Sequence, residues 1–302
     1  MQSVSSKLFN ANTKSALQKL DDQITKRQLE VSSGKKDLGL AKDSVEINQI
    51  NYIKKSLSQL EMETESIETA INQLKPQEAA LSEIGNSIIR LQELALQAKT
   101  ASISNEQMKS IAEEADQIKL HIFDLANSKD HRGNALFGGT LGKDDAFVFN
   151  QNGEINYAGS HDEGIVEVSE NKSAVTHLNG GKIFTNTAQN EGNAHLFETI
   201  GKFVNLLTDG NKNLDETIEN LDAAHQSLVE NIAKVGVSIN SLTTKLSTNK
   251  DLELDIVAKL SKLEDTDLAA AITDIKQLML TKDATQQIYA KISQQSLFDY
   301  IR

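Results

Sequence analysis

Residues 50–74 read INYIKKSLSQLEMETESIETAINQL, and the apolar positions in this stretch decide the fold. They alternate steps of three and four residues, which is the heptad pattern of a coiled-coil seam and is narrower than the apolar stripe of an ordinary globular helix. The seam begins with Ile50, Ile53, Leu57, Leu60, Thr64, Ile67, Ile71 and Leu74 and continues in phase through Leu81, Ile84, Ile88, Leu91, Ala95 and Ala98. The stretch therefore predicts one very long helix packed against another.

Pro76 lies inside this seam. Proline removes a backbone donor and clashes with the preceding turn, so we expect a kink or a short break there. The heptad phase is unbroken across Pro76, which favours the kink. A helix over residues 41–99 would be about 90 Å long, at about 1.5 Å per residue.

Two further helical regions show the same kind of pattern. Ser104 to Gln107 reads as a capping box, and a seam follows through Ile111, Ala115, Ile118, Ile122 and Leu125. In the C-terminal part, a cap at residues 213–216 precedes heptads at Leu214, Ile218, Leu221, His225, Leu228, Ile232, Val235, Ile239, Leu242 and Leu246. A fresh N-cap at Asp265 or Thr266 then predicts a last helix.

In the middle of the chain the apolar residues follow a different period. Nine of the sixteen glycines in the full sequence fall between residues 138 and 192. Strand-like residues flank Asn152-Gly153, which predicts a hairpin with a tight turn. Residues 164–169 (GIVEVS) predict another strand and residues 182–184 (KIF) a shorter one. We then expect Asn193 to cap a helix carrying Leu196, Ile200, Phe203 and Leu207, which stops at Gly210.

The fold class predicted from these patterns is mainly α with a small β-rich insertion. Both chain ends would form a long antiparallel coiled-coil bundle from residues 41–137 and 193–265. The β-rich module would span residues 138–192. Residues 1–40 and 266–302 would form two terminal arms at the same pole.

The arms carry weak apolar seams filled out with Ser, Thr, Gln, Asn and Lys. Two such helices on their own bury too little apolar surface to offset a backbone ordering cost of about 1–2 kcal/mol per residue. We therefore expect the arms to be disordered in the monomer and helical in an assembly. The predicted subunit and chaperone interface is Leu8, Leu17, Leu20, Ile24, Val31, Ile288, Tyr289, Ile292, Leu297, Phe298, Tyr300 and Ile301. The alternative is that the tail packs back onto its own bundle.

Composition excludes several classes of function. A net charge of -12 leaves no basic stripe for nucleic acid, and a chain without Cys has neither disulfides nor thiolate metal sites. No secretory signal and no membrane span are expected, so export would need a route without a cleaved signal. The six His lack metal-ligand spacing, and the Gly pairs at 138–139 and 180–181 lack the Lys-Ser/Thr of a phosphate loop. We expect no catalytic residues, no metal and no cofactor.

Two polar residues interrupt the C-terminal seam at Asn249 and Glu253. One interpretation is a solvated gap between the helices. The other is a deliberately weak layer that lets the bundle flex.

Four stretches resemble the bacterial flagellin-like family, and within it the hook-associated subunits at the junction of hook and filament. They are QLEVSSGKK (28–36), RGNALFGGT (132–140) with YAGS (157–160), VGVSINSL (235–242), and LEDTDLAAAITDI (263–275) with AKISQQSLFDYI (290–301). The usual Asp-Asp-Pro-like turn after Ser-Ser-Gly is absent, since residues 41–45 read AKDSV.

The resemblance implies a structural, non-enzymatic subunit of the extracellular flagellum, exported unfolded by the flagellar type III apparatus. Its implied partners are copies of itself, the adjacent hook-associated protein, flagellin, and an export chaperone on the C-terminal arm. Two alternatives remain at this point: a flagellin of the filament, or a secreted coiled-coil adhesin that binds a surface through residues 141–190.

Overall fold

The computed structural model describes residues 2–36, 44–100, 102–140, 142, 144–169, 172–184 and 195–298. Within these ranges the chain is mainly α-helical with a small amount of β-structure, as predicted, and the strands form two small antiparallel sheets. The elements are α1 (Gln2–Ser33), α2 (Ser44–Ala98), α3 (Asn105–Ala126), β1 (Phe147–Phe149), β2 (Ile155–Tyr157), β3 (Gly164–Ser169), β4 (Lys172–His177), α4 (Gly180–Phe184), α5 (His195–Thr208), α6 (Asp215–Glu264) and α7 (Leu268–Phe298).

The chain divides into two compact units. The arm unit comprises Met1–Gln59 and Leu252–Arg302, and the core unit comprises Leu60–Asp251. The helices α2 and α6 each contribute residues to both units. The predicted division into arms, bundle and β-rich module is a different partition, made by sequence pattern, and it stays a prediction.

The long helix α2 is continuous through Pro76, so the predicted break does not occur. Its 55 residues correspond to about 80 Å of helix. From Ile67 onward its seam is buried, and Leu81, Ile84 and Leu91 are completely shielded from solvent. The apolar core of the core unit forms around this seam, together with α3, α5 and the buried seam of α6.

Helix α3 begins as the sequence predicts. The Ser104 side chain accepts the backbone N–H of Gln107, and the Gln107 side chain accepts the backbone N–H of Ser104, which completes the capping box. Two orphan donors of the first turn are thereby paired. Met108, Ile111, Ala115 and Ile122 are buried in the core.

The β-rich region contains two hairpins. In the first, β1 pairs with β2, and the connecting loop differs from the predicted tight turn because Gly153 alone in the loop has a positive φ, at 78°. The Asn150 side chain instead accepts the backbone N–H groups of Asn152 and Glu154. This Asx-type pattern allows a longer loop with Asn152 in an ordinary conformation.

The second hairpin joins the predicted strand β3 to β4, which sequence patterning did not indicate. The strand expected at residues 182–184 is wrong, because these residues belong to the short helix α4. The Asn179 side chain accepts the backbone N–H of Lys182, which caps α4. Ile183 and Phe184 are thereby buried on a helix rather than on a strand.

A buried glutamine links α2 to the second hairpin. Gln77 is completely buried, and its amide donates to the backbone oxygens of Gln73 at 2.8 Å and Thr176 at 2.5 Å. Its side-chain oxygen accepts the backbone N–H of Leu178 at 3.2 Å. The side chain thus satisfies backbone groups on either side of the end of β4, which buried backbone requires.

The remaining helices end and begin close to their predicted positions. Helix α5 stops at Gly210, whose φ of 73° and N–H bond to Leu207 form a C-terminal cap. All four predicted apolar residues of α5 are buried, whereas its predicted cap Asn193 lies outside the described residues. The N-cap of α7 is Asp267, which accepts the N–H of Ala270, and not Asp265 or Thr266 as expected.

Candidate assembly interface

Helices α1 and α7 pair in antiparallel fashion within the arm unit. Phe9 stacks on Tyr289 with ring centroids 6.3 Å apart, and Arg27 contacts Asp274 across the pair at 3.3 Å. A third contact joins Asp21 to Lys282 at 2.5 Å. In these three contacts the residue numbers on α1 increase while those on α7 decrease, so the two helices are antiparallel.

Part of the predicted interface lies inside this helix pair. Ile24 is buried, with 8% of its surface exposed. The half-buried members of the predicted set are Leu17, Leu20, Val31 and Tyr289. The four members on α1 are spaced by three, four and seven residues, which places them on one face of that helix, and Tyr289 is on α7. These five residues therefore serve first to hold α1 and α7 together.

The other predicted interface residues point to solvent or are not described. Leu8, Ile288 and Ile292 are 63%, 57% and 39% exposed. Leu297 and Phe298 end helix α7, and their side chains are not among the described features; Tyr300 and Ile301 lie outside the described residues.

The arm unit exposes far more apolar surface relative to what it buries than the core unit does. Within the described ranges, its buried apolar residues are Ile24, Ile50 and Ala271. Its exposed large apolar residues are Leu8, Leu29, Val45, Tyr52, Leu252, Leu254, Val257, Leu268, Ile272, Met279, Leu280, Ile288 and Ile292. Apolar exposure on this scale is typical of a surface that another protein covers.

A polar cleft also lies in the α1–α7 pair, and the sequence did not indicate it. Its walls include Gln23 and Arg27 from α1 and Asp274 and Thr281 from α7. Glu30 is 4% exposed and accepts a hydrogen bond from Arg27 at 2.6 Å, which raises the pKa of the Arg27 guanidinium. The ion pair with Arg27 offsets the cost of burying the Glu30 carboxylate.

Two of the sequence stretches singled out above meet in the arm unit, in a contact here called the clasp (residues 34–36 and 262–266). The N–H of Thr266 donates to the Gly34 carbonyl at 2.9 Å, and the N–H of Lys36 donates to the Glu264 carbonyl at 2.7 Å. The Lys36 ammonium caps α6 by donating to the carbonyls of Lys262 and Leu263. Gly34 has a φ of 70°, which lets the chain turn at the end of α1.

Glu264 is the charged centre of the clasp. Its carboxylate pairs with Lys54 from α2 and with Lys35 at 3.2 Å, while its own side chain is only 12% exposed. The hydrogen bond from Lys54 lowers the pKa of Glu264, and the bond from Lys35 lowers it further against the opposing effect of burial. The ionised carboxylate is therefore the form that the fold stabilises.

We expect Glu264→Gln to reduce the stability of the arm unit by about 1 kcal/mol at pH 7, because a neutral amide makes weaker bonds to two ammonium groups. Since the pKa of Glu264 is lower in the folded chain, its contribution is present above the unfolded pKa of about 4.3 and is lost as pH falls through the folded value. The difference in arm-unit melting temperature between assembled wild-type chains and assembled variant chains should shrink below about pH 4.3. A difference that is constant from pH 7 to pH 3 would show that this ionisation is not involved.

The glycine-rich stretches 132–140 and 157–160 also meet, inside the core unit. The Tyr157 hydroxyl lies 2.8 Å from the Ser160 carbonyl and 3.1 Å from the Phe137 carbonyl, and burial raises the pKa of Tyr157 to about 12. The Asp130 carboxylate accepts the backbone N–H groups of Arg132 and Asn134, which keeps its pKa low although burial would raise it. These residues build a turn.

The described residues contain neither a metal-binding cluster nor a membrane span. His225 is half-buried on α6. Among the described residues, no three His, Asp or Glu side chains are placed to hold a metal ion. Within the same ranges, no helix combines the length and apolarity needed to cross a bilayer.

The chain is similar to flagellar proteins in sequence. Residues 4–141 match the family model of the bacterial flagellin N-terminal helical region. Flagellar hook-associated protein 3 of Escherichia coli is 22% identical over 288 residues, covering 89% of this chain and 90% of that protein. The protein of the same name from Salmonella typhimurium is 22% identical over 292 residues, covering 90% and 91%. The resemblance indicated by the four sequence stretches is confirmed.

The fold is similar to solved structures of the same kind. A putative flagellar hook-associated protein from Vibrio parahaemolyticus superposes with a TM-score of 0.66 at 15% identity, over 74% of this chain and all of that one. The flagellar junction protein from Legionella pneumophila superposes with a TM-score of 0.62 at 17% identity, over 72% of this chain and all of that one.

Proposed function

From this likeness to flagellar hook-associated proteins we propose that the chain is a structural, non-enzymatic subunit of the bacterial flagellum, located where the hook meets the filament. Its task is to adapt the hook to the flagellin filament. The observation that carries the proposal is end-to-end similarity: both curated relatives bear the name flagellar hook-associated protein 3, and each aligns over about nine-tenths of both chains.

The arm unit supplies the proposed assembly surface. Copies of the chain would form a short helical ring in which the exposed apolar residues of α1 and α7 are covered by neighbours. The remaining predicted partners are the adjacent hook-associated protein, flagellin, and an export chaperone that holds the C-terminal arm before passage through the type III apparatus. The exposed Ile288 and Ile292 support this view, since their burial requires another chain.

We also propose that the helical arms represent the assembled conformation and that the isolated monomer leaves them unfolded. The sparse burial in the arm unit supports this proposal, because Ile24 and Ala271, the buried apolar residues described on α1 and α7, offset little of the ordering cost of two helices of 32 and 31 residues. Limited proteolysis of the purified monomer tests it: cleavage should begin in the arms, and arms that resist as well as the core unit would refute it.

The long antiparallel bundle of α2 and α6 belongs to the same proposal. Within the core unit, Glu68 of α2 pairs with Lys250 of α6 at 2.9 Å, and Lys99 of α2 pairs with Asp215 of α6. The residue numbers increase along α2 while those of the partners on α6 decrease, which supports antiparallel packing.

Copy number separates this function from a filament flagellin. We expect quantitative mass spectrometry of purified hook–filament structures to find the chain at a small, fixed number of copies per filament, far below the major filament protein. A chain that accounts for most of the filament mass would instead be a flagellin. A chain absent from the structures but present elsewhere on the surface would favour an adhesin.

A further inference from the structure

The seam of α6 contains a buried amide that has no partner. Asn249 is completely shielded from solvent, and neither its Nδ2 nor its Oδ1 atom makes a hydrogen bond. The interpretation of Asn249 as part of a solvated gap is therefore wrong, whereas Glu253 is half-buried. Among the described residues, Asn249 is the one side chain whose two polar atoms are both buried and unpaired.

Other buried amides of the core unit are paired, although the side-chain oxygen of Gln73 is buried without a partner. Gln77 is as deeply buried and makes three hydrogen bonds, and the buried Asn179 donates to the His161 carbonyl and accepts from Lys182. Native proteins pair nearly all their buried polar groups, because an unpaired one forfeits its bonds to water without replacement. The lack of partners at Asn249 therefore marks a locally unfavourable layer.

A second unpaired group lies on the facing helix at the same end of the core unit. The Glu68–Lys250 ion pair places the residue after Asn249 directly beside α2. Thr64 is one helical turn from Glu68 on α2, occupies a seam position, and has a buried hydroxyl without a partner. Leu242, two helical turns further into the unit on the same seam of α6, is buried and apolar, so Asn249 and Thr64 lie at the end of the core unit beyond this apolar layer.

We propose that the Asn249 layer is a built-in opening point, at which α2 and α6 separate locally and admit water more readily than elsewhere in the core unit. When the helices separate, water can form hydrogen bonds with the Asn249 amide and the Thr64 hydroxyl. When they close again, these bonds are lost. Each local opening therefore costs less here than in the apolar layers around Leu81 and Leu91. This property belongs to the fold itself and goes beyond the proposed role in the flagellum.

Hydrogen exchange of the intact chain, followed by mass spectrometry, tests the proposal. Asn249→Leu keeps the branching of the side chain and removes its polar atoms. We expect exchange of the amides at residues 246–252 to slow by about tenfold or more, where tenfold corresponds to about 1.4 kcal/mol. Exchange of α3 should not change. Asn249→Asp places an unpaired carboxylate in the same layer and should speed exchange of the same amides.

Asn240→Leu is the matched control, because Asn240 is an exposed asparagine on the same helix. It should leave exchange at residues 246–252 unaltered. Unchanged or faster exchange in Asn249→Leu, with the fold intact by circular dichroism, would overturn the proposal. If that variant does not fold, unchanged exchange in Asn249→Asp would overturn it equally.

Discussion

A chain that ends at Asp267 is expected to keep its core unit folded and to be absent from purified flagella. The truncation removes α7, which supplies one helix of the arm pair and six of the exposed apolar residues of the arm unit. The apolar core, in contrast, lies between Ile67 and Leu242 and loses none of its members. Immunoblots of sheared flagella measure incorporation, and thermal unfolding of the purified chain measures the core unit.

Point variants separate assembly from export and folding. Ile288→Asp with Ile292→Asp changes two exposed residues outside the core unit, so the core unit should fold as in wild type. Incorporation per exported chain should nevertheless fall sharply, because a charge would be buried between subunits. Gln286→Asp with Ala290→Asp alters equally exposed positions on the same turns and should assemble. Normal incorporation of the isoleucine variant would contradict the assigned surface.

Gly139→Ala is expected to destabilise the core unit by about 3 kcal/mol or more. Gly139 has a φ of 63°, a conformation that costs an L-residue about 1–2 kcal/mol. A Cβ there would also lie within 2.5 Å of the Ser160 carbonyl oxygen and would overlap the Asp162 carbonyl oxygen. The two glycine-rich stretches would have to separate, and with them the bonds of Tyr157. Chemical denaturation of the core unit measures the effect.

Gly153→Ala controls for backbone conformation alone. Gly153 has a similar φ of 78°, but no atom lies within 4 Å of the position of its Cβ. Its substitution should cost about 1 kcal/mol, the conformational part by itself. Equal losses at the two sites would show that close backbone contact at Gly139 contributes nothing.

Local patterns predicted most of the helices because their signals are local. The heptads, the capping box at Ser104 and the stop at Gly210 each depend on residues a few positions apart. The long helix α2, the capping box and the stop are confirmed, and the coiled-coil bundle stays a prediction. The strand at 164–169 is confirmed to the residue. The short apolar run at 182–184 was misassigned, since three residues have no measurable period and the Asn179 cap decides the outcome.

Contacts between distant residues could not be predicted in the same way. The bond of Gln77 to the end of β4 joins residues about a hundred positions apart, and nothing in the surrounding heptads indicates it. The clasp likewise depends on Glu264 meeting Lys35 and Lys54 in three dimensions. For the interface, the pattern selected some of the apolar residues of the arms and left out others such as Ile272 and Met279. It also could not say that Ile24 is buried while Ile288 faces solvent.

The most direct test of the proposed function is immunogold electron microscopy of intact flagella, with an antibody raised against residues 141–190. A subunit that joins hook to filament should give one narrow band of label at that junction and none along the filament. Label along the whole filament would contradict this account and identify a filament flagellin, and label confined to other parts of the cell surface would contradict it in favour of an adhesin.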